Sequence, residues 1–219
     1  MYKMRWGGKR KRQEIEEEDE PPKLGLPPLS FFMDSDSNST IYSNNNNVYF
    51  NDDVTEASCF ALNRELRMVE QRVQLLKTYL NTNDDVPIYL HITTNGGSIH
   101  AAFSVIDCIN SLACPVYTVV DGFVASAGTL ISLAGKKKFI QPNAYILIHQ
   151  LRSGMWGKMA EIEDEYHNLK KLSEHITSYY EKNTKIKRKQ LCNMLTKEIS
   201  WDAEEAVGLG LVDDIYKKD

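Results

Sequence analysis

The sequence has no apolar run near the ~20 residues that a membrane-spanning helix needs. It has no apolar segment of the kind that forms a secretory signal near its start. Its four cysteines, Cys59, Cys108, Cys114 and Cys192, form no Cys-x-x-Cys pair and read as reduced thiols of an intracellular protein. A basic excess is also missing: 26 Lys and Arg face 30 Asp and Glu, a net charge of −4 that argues against a general nucleic-acid binder. No glycine-rich phosphate loop of the ATPase kind is present, so the chain is not expected to hydrolyse ATP. Glu163 and His167 share a helix face, but no further ligand has the right spacing, and no metal or other cofactor is expected.

What the chain does have is one domain's worth of core. Of its 219 residues, 42 % are hydrophobic and 26 % charged, the balance of a soluble globular protein. The N-terminus differs in texture. Lys9 to Arg12 is followed by an acidic stretch, Glu14 to Glu20, then by Pro21-Pro22 and Pro27-Pro28, and later by Asn44 to Asn47. Nothing there can bury a core, so residues 1–46 are expected to be a flexible tail and 47–219 the folded domain. The acidic block speaks against a mitochondrial or plastid transit peptide; the location expected is intracellular, cytoplasmic or organellar.

Periodicity outlines the domain. Val48 to Phe50 reads as a strand, with Asp53 and Glu56 as a capping box. Leu62, Leu66, Val69, Val73, Leu76 and Leu80 then mark one stripe of a helix. Pro87 to Ile92 is a strand, Thr93 to Gly97 a turn, and Ser98 to about Leu112 a helix. Val116 to Val120 reads as a strand buried on both faces, with a turn over 121–125 and a helix from Ser126 to Ala134. Strands follow at Lys138 to Ile140 and Tyr145 to Ile148. A long helix covers Lys158 to Tyr180, a short one Lys187 to Leu195, and Asp202 with Glu205 caps a last helix before a strand at Leu211 to Ile215. Strands alternating with helices point to an α/β fold of repeated β-α-β units.

Three places hold chemistry. Gly96-Gly97 offers backbone N–H groups beside a helix start; the plainer reading is a tight turn. Ser126 sits between Ala125 and Ala127 at another helix start, resembling a nucleophile elbow without the Gly-x-Ser-x-Gly pattern; the plainer reading is a helix N-cap. His149 closes an apolar strand, where a histidine is often structural.

The combination resembles a family. Leu90-His91-Ile92-Thr93-Thr94-Asn95-Gly96-Gly97-Ser98, the Gly122 to Gly128 turn, Ile148-His149-Gln150 and the segment Ala203 to Asp213 occur in the order found in the Clp protease proteolytic subunit. The resemblance runs from about Val48 to Tyr216. It implies the Clp protease and crotonase type of fold, with a protruding long helix. It also implies a serine endopeptidase with Ser126 as nucleophile, His149 as base, and the N–H groups of Gly97 and Ala127 as the oxyanion hole. Asp121 and Thr93 read as structural. The family's third triad member is an aspartate, and the matching position here is Glu198; Asp202, another carboxylate or none remain alternatives. Asn95 and Leu151 stand where proline is usual, and the loop between Ala134 and Phe139 is short.

For assembly, the resemblance implies seven-membered rings stacked in pairs around a chamber that receives polypeptide substrates. It also implies a AAA+ unfoldase docking on aromatic positions. Tyr89, Phe139 and Tyr216 keep those positions, while His91 and Ser111 do not. No membrane or nucleic-acid partner is expected. Three rival readings stay open: an inactive scaffold or regulatory subunit of a mixed ring, an acyl-CoA enzyme of the crotonase type, and a Ser–Lys peptidase.

Overall fold

Eight strands form one sheet in a computed structural model that describes residues 40–217. The first two, β1 (Ile41–Asn44) and β2 (Asn47–Asn51), make an antiparallel hairpin in which Ile41 opposes Phe50. The expected boundary of the tail at residue 46 therefore cuts through the sheet. Asn45 takes φ 53°, a left-handed turn conformation that asparagine tolerates, so part of the asparagine run closes a hairpin. Residues 1–39, most of the expected tail, lie outside the described residues.

Next comes α1 (Glu56–Leu80). Its capping box is Thr55 with Ser58, not Asp53 with Glu56, because the Thr55 hydroxyl accepts from the Ser58 N–H. Leu62, Leu66, Val69 and Val73 are all buried, each contributing about 1.5–3 kcal/mol on leaving water. The buried stripe ends there: Leu76 and Leu80 are exposed.

The centre of the sheet is parallel. It comprises β3 (Ile88–Thr94), which is followed by α2 (Ile99–Ser111), then β4 (Val116–Ala125), α3 (Ala127–Ser132) and β5 (Lys137–Ile140). Ile88, Leu90 and Ile92 are fully buried in the core shared with α1 and α2. The alternate residues point to the other face, where Tyr89, His91, Phe139 and Tyr216 form an aromatic layer with Tyr216 at its centre. Within it His91 pairs with Asp121 at 2.9 Å, and Thr93 donates to the Asp121 carbonyl, which fits a structural role for both residues. Ser111 lies elsewhere, at the end of α2.

Strand β4 does not stop at Val120 as expected. It runs on through the segment read as a turn, with Gly122 at φ 65° between its two halves. Its first half pairs with β5 and its second half with β6 (Tyr145–Leu147). The rest of the chain supplies α4 (Met159–Asn183), α5 (Arg188–Leu195), β7 (Ser200–Trp201), α6 (Ala203–Leu209) and β8 (Asp214–Ile215). The two-residue β7 lacked any readable period, and the final strand is shorter than expected. Only Ile176, Thr177 and Tyr180 of α4 are buried, so its N-terminal half protrudes, with Met159 and Tyr166 exposed. Among the described residues no helix is long and apolar enough to cross a membrane.

Candidate active site

The site forms where β4 and β6 end side by side. Ala125 pairs with Leu147, and the Ser126 N–H donates to the Leu147 carbonyl at 3.0 Å. Those two contacts bring the serine next to the end of the strand that carries His149. Ser126 takes φ 53° and ψ −126°, a conformation that costs an L residue roughly 1–3 kcal/mol. Its hydroxyl makes no capping bond to α3, so the plainer N-cap reading fails.

Close packing holds the strained turn. A Cβ added to Gly96 would lie 2.5 Å from Ser126 Cβ, and one added to Gly128 would lie 2.1 Å from Thr94 Cγ2. Glycine is needed at both positions so that β3 and the serine turn can touch. The Ser126 carbonyl accepts from Thr129 Oγ1 at 2.6 Å, and that hydroxyl is also bonded to the buried Tyr180 of α4. Neither Thr129 nor Tyr180 stood out in the sequence, because a buried threonine and tyrosine at those spacings look like core.

His149 follows fully buried Ile148, which anchors the end of β6, and its own side chain is mostly covered. Strand β7 runs antiparallel to β6, with Ile146 opposite Trp201 and Leu147 opposite Ser200. Extending that pairing by two residues sets His149 opposite Glu198. The contact is made: His149 Nδ1 lies 3.0 Å from Glu198 Oε1 and 3.2 Å from Oε2. An ionised carboxylate only accepts, so Nδ1 carries the proton and Nε2 is left as the basic nitrogen. The hydrogen bond from His149 holds the Glu198 carboxyl below its usual range; desolvation opposes it, and the charges of His149 and Arg152 add to the lowering. Asp202, the alternative third member, is spent as the N-cap of α6, accepting from the Glu205 N–H at 2.9 Å.

Gly97 sits in an isolated parallel bridge with Val54. Val54 N–H donates to the Gly96 carbonyl, and the Ser98 N–H donates to the Val54 carbonyl. This pattern uses the neighbours of Gly97 and leaves its own N–H unbonded among the described residues. The Ala127 N–H, first in α3, is likewise unbonded among them. Gly97, Ser126 and His149 line one cleft of about 420 Å³, whose apolar wall comes from Leu169, Leu172 and Ile176 of α4. Among the described residues Ser126 Oγ makes no hydrogen bond to the imidazole, although both face this cleft.

Sheet and cleft together define an α/β protein of repeated β-α-β units whose strand ends gather a serine, a histidine and a carboxylate. Residues 58–219 match the Clp protease family, and the chain belongs to it. A relative from Treponema denticola, named ATP-dependent Clp protease proteolytic subunit 2, is 35 % identical over 158 residues, 71 % of this chain and 78 % of its own. One from Deinococcus radiodurans, ATP-dependent Clp protease proteolytic subunit, is 27 % identical over 69 % of this chain and 75 % of its own. One from Bacillus cereus, ATP-dependent Clp protease proteolytic subunit 1, is 34 % identical over 60 % and 69 %. The family is one of peptidase subunits.

Proposed function

We propose that this chain is a serine-type endopeptidase that cleaves unfolded polypeptides inside an oligomeric chamber. The observation that carries the reading is His149, held by Glu198, lining the same cleft as a strained Ser126 and as Gly97, whose N–H is unbonded among the described residues. Ser126 Oγ attacks the scissile carbonyl while His149 Nε2 takes its proton. The Gly97 and Ala127 N–H groups receive the developing oxyanion, a contribution worth about 10²–10³ in rate per donor in other enzymes. The imidazolium then protonates the leaving amine, and water repeats the cycle on the acyl-serine. Glu198 keeps Nδ1 protonated and the ring aimed. The hydrogen bond from Ser126 to His149 closes on substrate binding, as such bonds often tighten only in the complex.

The assembly in this reading is a seven-membered ring, stacked in pairs, fed by a AAA+ unfoldase within the cell. The protruding half of α4 and its exposed Met159 and Tyr166 favour contact with other subunits. Labelling with a fluorophosphonate probe tests the chemistry: wild type labels, and Ser126→Ala and His149→Ala do not. Labelling that survives His149→Ala would favour a Ser–Lys peptidase. An unlabelled wild type under assembly conditions would favour the scaffold subunit.

A further inference from the structure

We propose that Arg152 is a positioning residue of this centre: its guanidinium pins the Glu198 carboxylate against the imidazole of His149. The inference rests on the reading of Glu198 as the group that orients His149.

Glu198 reaches the histidine on a side chain with three rotatable bonds, and that side chain is 60 % exposed. With a single partner it would lose much of its orientation to rotamer freedom. Among the described residues it has a second partner. Arg152 Nη2 lies 3.4 Å from Oε1, the same oxygen that accepts from His149 Nδ1. The two donors approach from one loop, three residues apart. That loop is tied to the end of α5, because the Gln150 N–H donates to the Leu195 carbonyl at 2.7 Å. That bond ties the segment carrying the histidine and the arginine to the segment that leads to the acid. A charge pair this exposed adds little to fold stability. What it supplies is direction: with Oε1 shared, a carboxylate that swings away from Nδ1 must draw the exposed guanidinium with it or lose that contact too.

Arg152 also lines the cleft, so a rival role is direct contact with substrate. A double-mutant cycle separates the two. The assembled full-length chain is compared as wild type, Arg152→Gln and Arg152→Lys, each with and without Glu198→Gln. The readouts are the rate of fluorophosphonate labelling, and kcat and KM on a fluorogenic peptide. Arg152→Gln should slow labelling about three- to fivefold, the scale of an exposed charge pair, with KM unchanged. Arg152→Lys should recover part of the loss. In the Glu198→Gln background the arginine change should matter little, because coupled partners are non-additive.

Equal losses in both backgrounds, or a loss seen only in KM, overturn the proposal while leaving the peptidase reading intact. A Glu198→Gln variant that labels like wild type removes the reading beneath it. If wild type does not label, nitrogen-15 spectra of labelled histidine report Nδ1 directly. An Nδ1–H signal unchanged by Arg152→Gln overturns the proposal, and a shift toward the other tautomer supports it.

Discussion

Replacing Gly96 with alanine should disable the site more than it harms the fold. The new methyl would lie 2.5 Å from Ser126 Cβ, 2.8 Å from the Ala125 carbonyl oxygen and 3.1 Å from the Ala127 nitrogen. All three belong to the serine turn. The backbone at Gly96 also has φ +97°, which disfavours an L residue by about 1–2 kcal/mol. Relieving the overlap costs about 1–3 kcal/mol more, since the contacts are backbone and Cβ with no flexible end to swing aside. A total near 3 kcal/mol lowers Tm by about 6–12 °C in a domain of this size. The chemistry should suffer more, because a displacement of about 1 Å at a reacting group costs on the order of 10²-fold in rate. Thermal denaturation and fluorophosphonate labelling, both on protein of verified assembly state by size-exclusion chromatography, read the two effects. Gly154→Ala is the control, since nothing lies within 4 Å of a methyl there. A Gly96→Ala protein with wild-type Tm and wild-type labelling would refute the packing argument.

Other outcomes follow from the same geometry. Glu198→Ala should lower turnover strongly while Glu198→Asp retains much of it, measured as kcat on a peptide substrate; equal activity of wild type and Glu198→Ala would remove the carboxylate from the mechanism. Burial pushes the Cys59 thiol up to about 11, against a smaller opposing effect of the Ser58 hydrogen bond. Iodoacetamide at pH 8 should therefore modify exposed Cys192 in the native protein and leave Cys59 untouched until unfolding, as peptide mass mapping would show. Gly208 lies exposed in α6 with open space around it, so Gly208→Ala should raise stability by about 0.5–1 kcal/mol in denaturant titration.

Much of this site was legible because several signals were local. The α1 stripe as far as Val73, the strand leading to His149 and the Asp202–Glu205 cap each follow from short-range spacing and each forms. The misses have physical causes. The asparagine run looked like tail because composition carries no pairing information, yet Asn45 closes a hairpin whose apolar residues face α1. Asp53 fits the cap pattern, but Thr55 sits where the helix N–H groups emerge. Glu198 could be suggested only by resemblance; its contact with His149 depends on a two-residue strand too short to show alternation. Arg152 and Tyr180 make their contacts with tertiary neighbours and leave no periodic trace.

The short β6–β7 ladder turns the search for an orienting acid into a matter of counting rungs. In the proposed mechanism the acid belongs on the rung that faces the histidine, so its offset from Trp201 matters more than its length. One extra methylene is absorbed by side-chain rotation, whereas inserting one residue between Glu198 and Ser200 would turn the acid toward the opposite surface. Tolerance to a change of residue type and intolerance to a change of spacing are thus two faces of the same pairing.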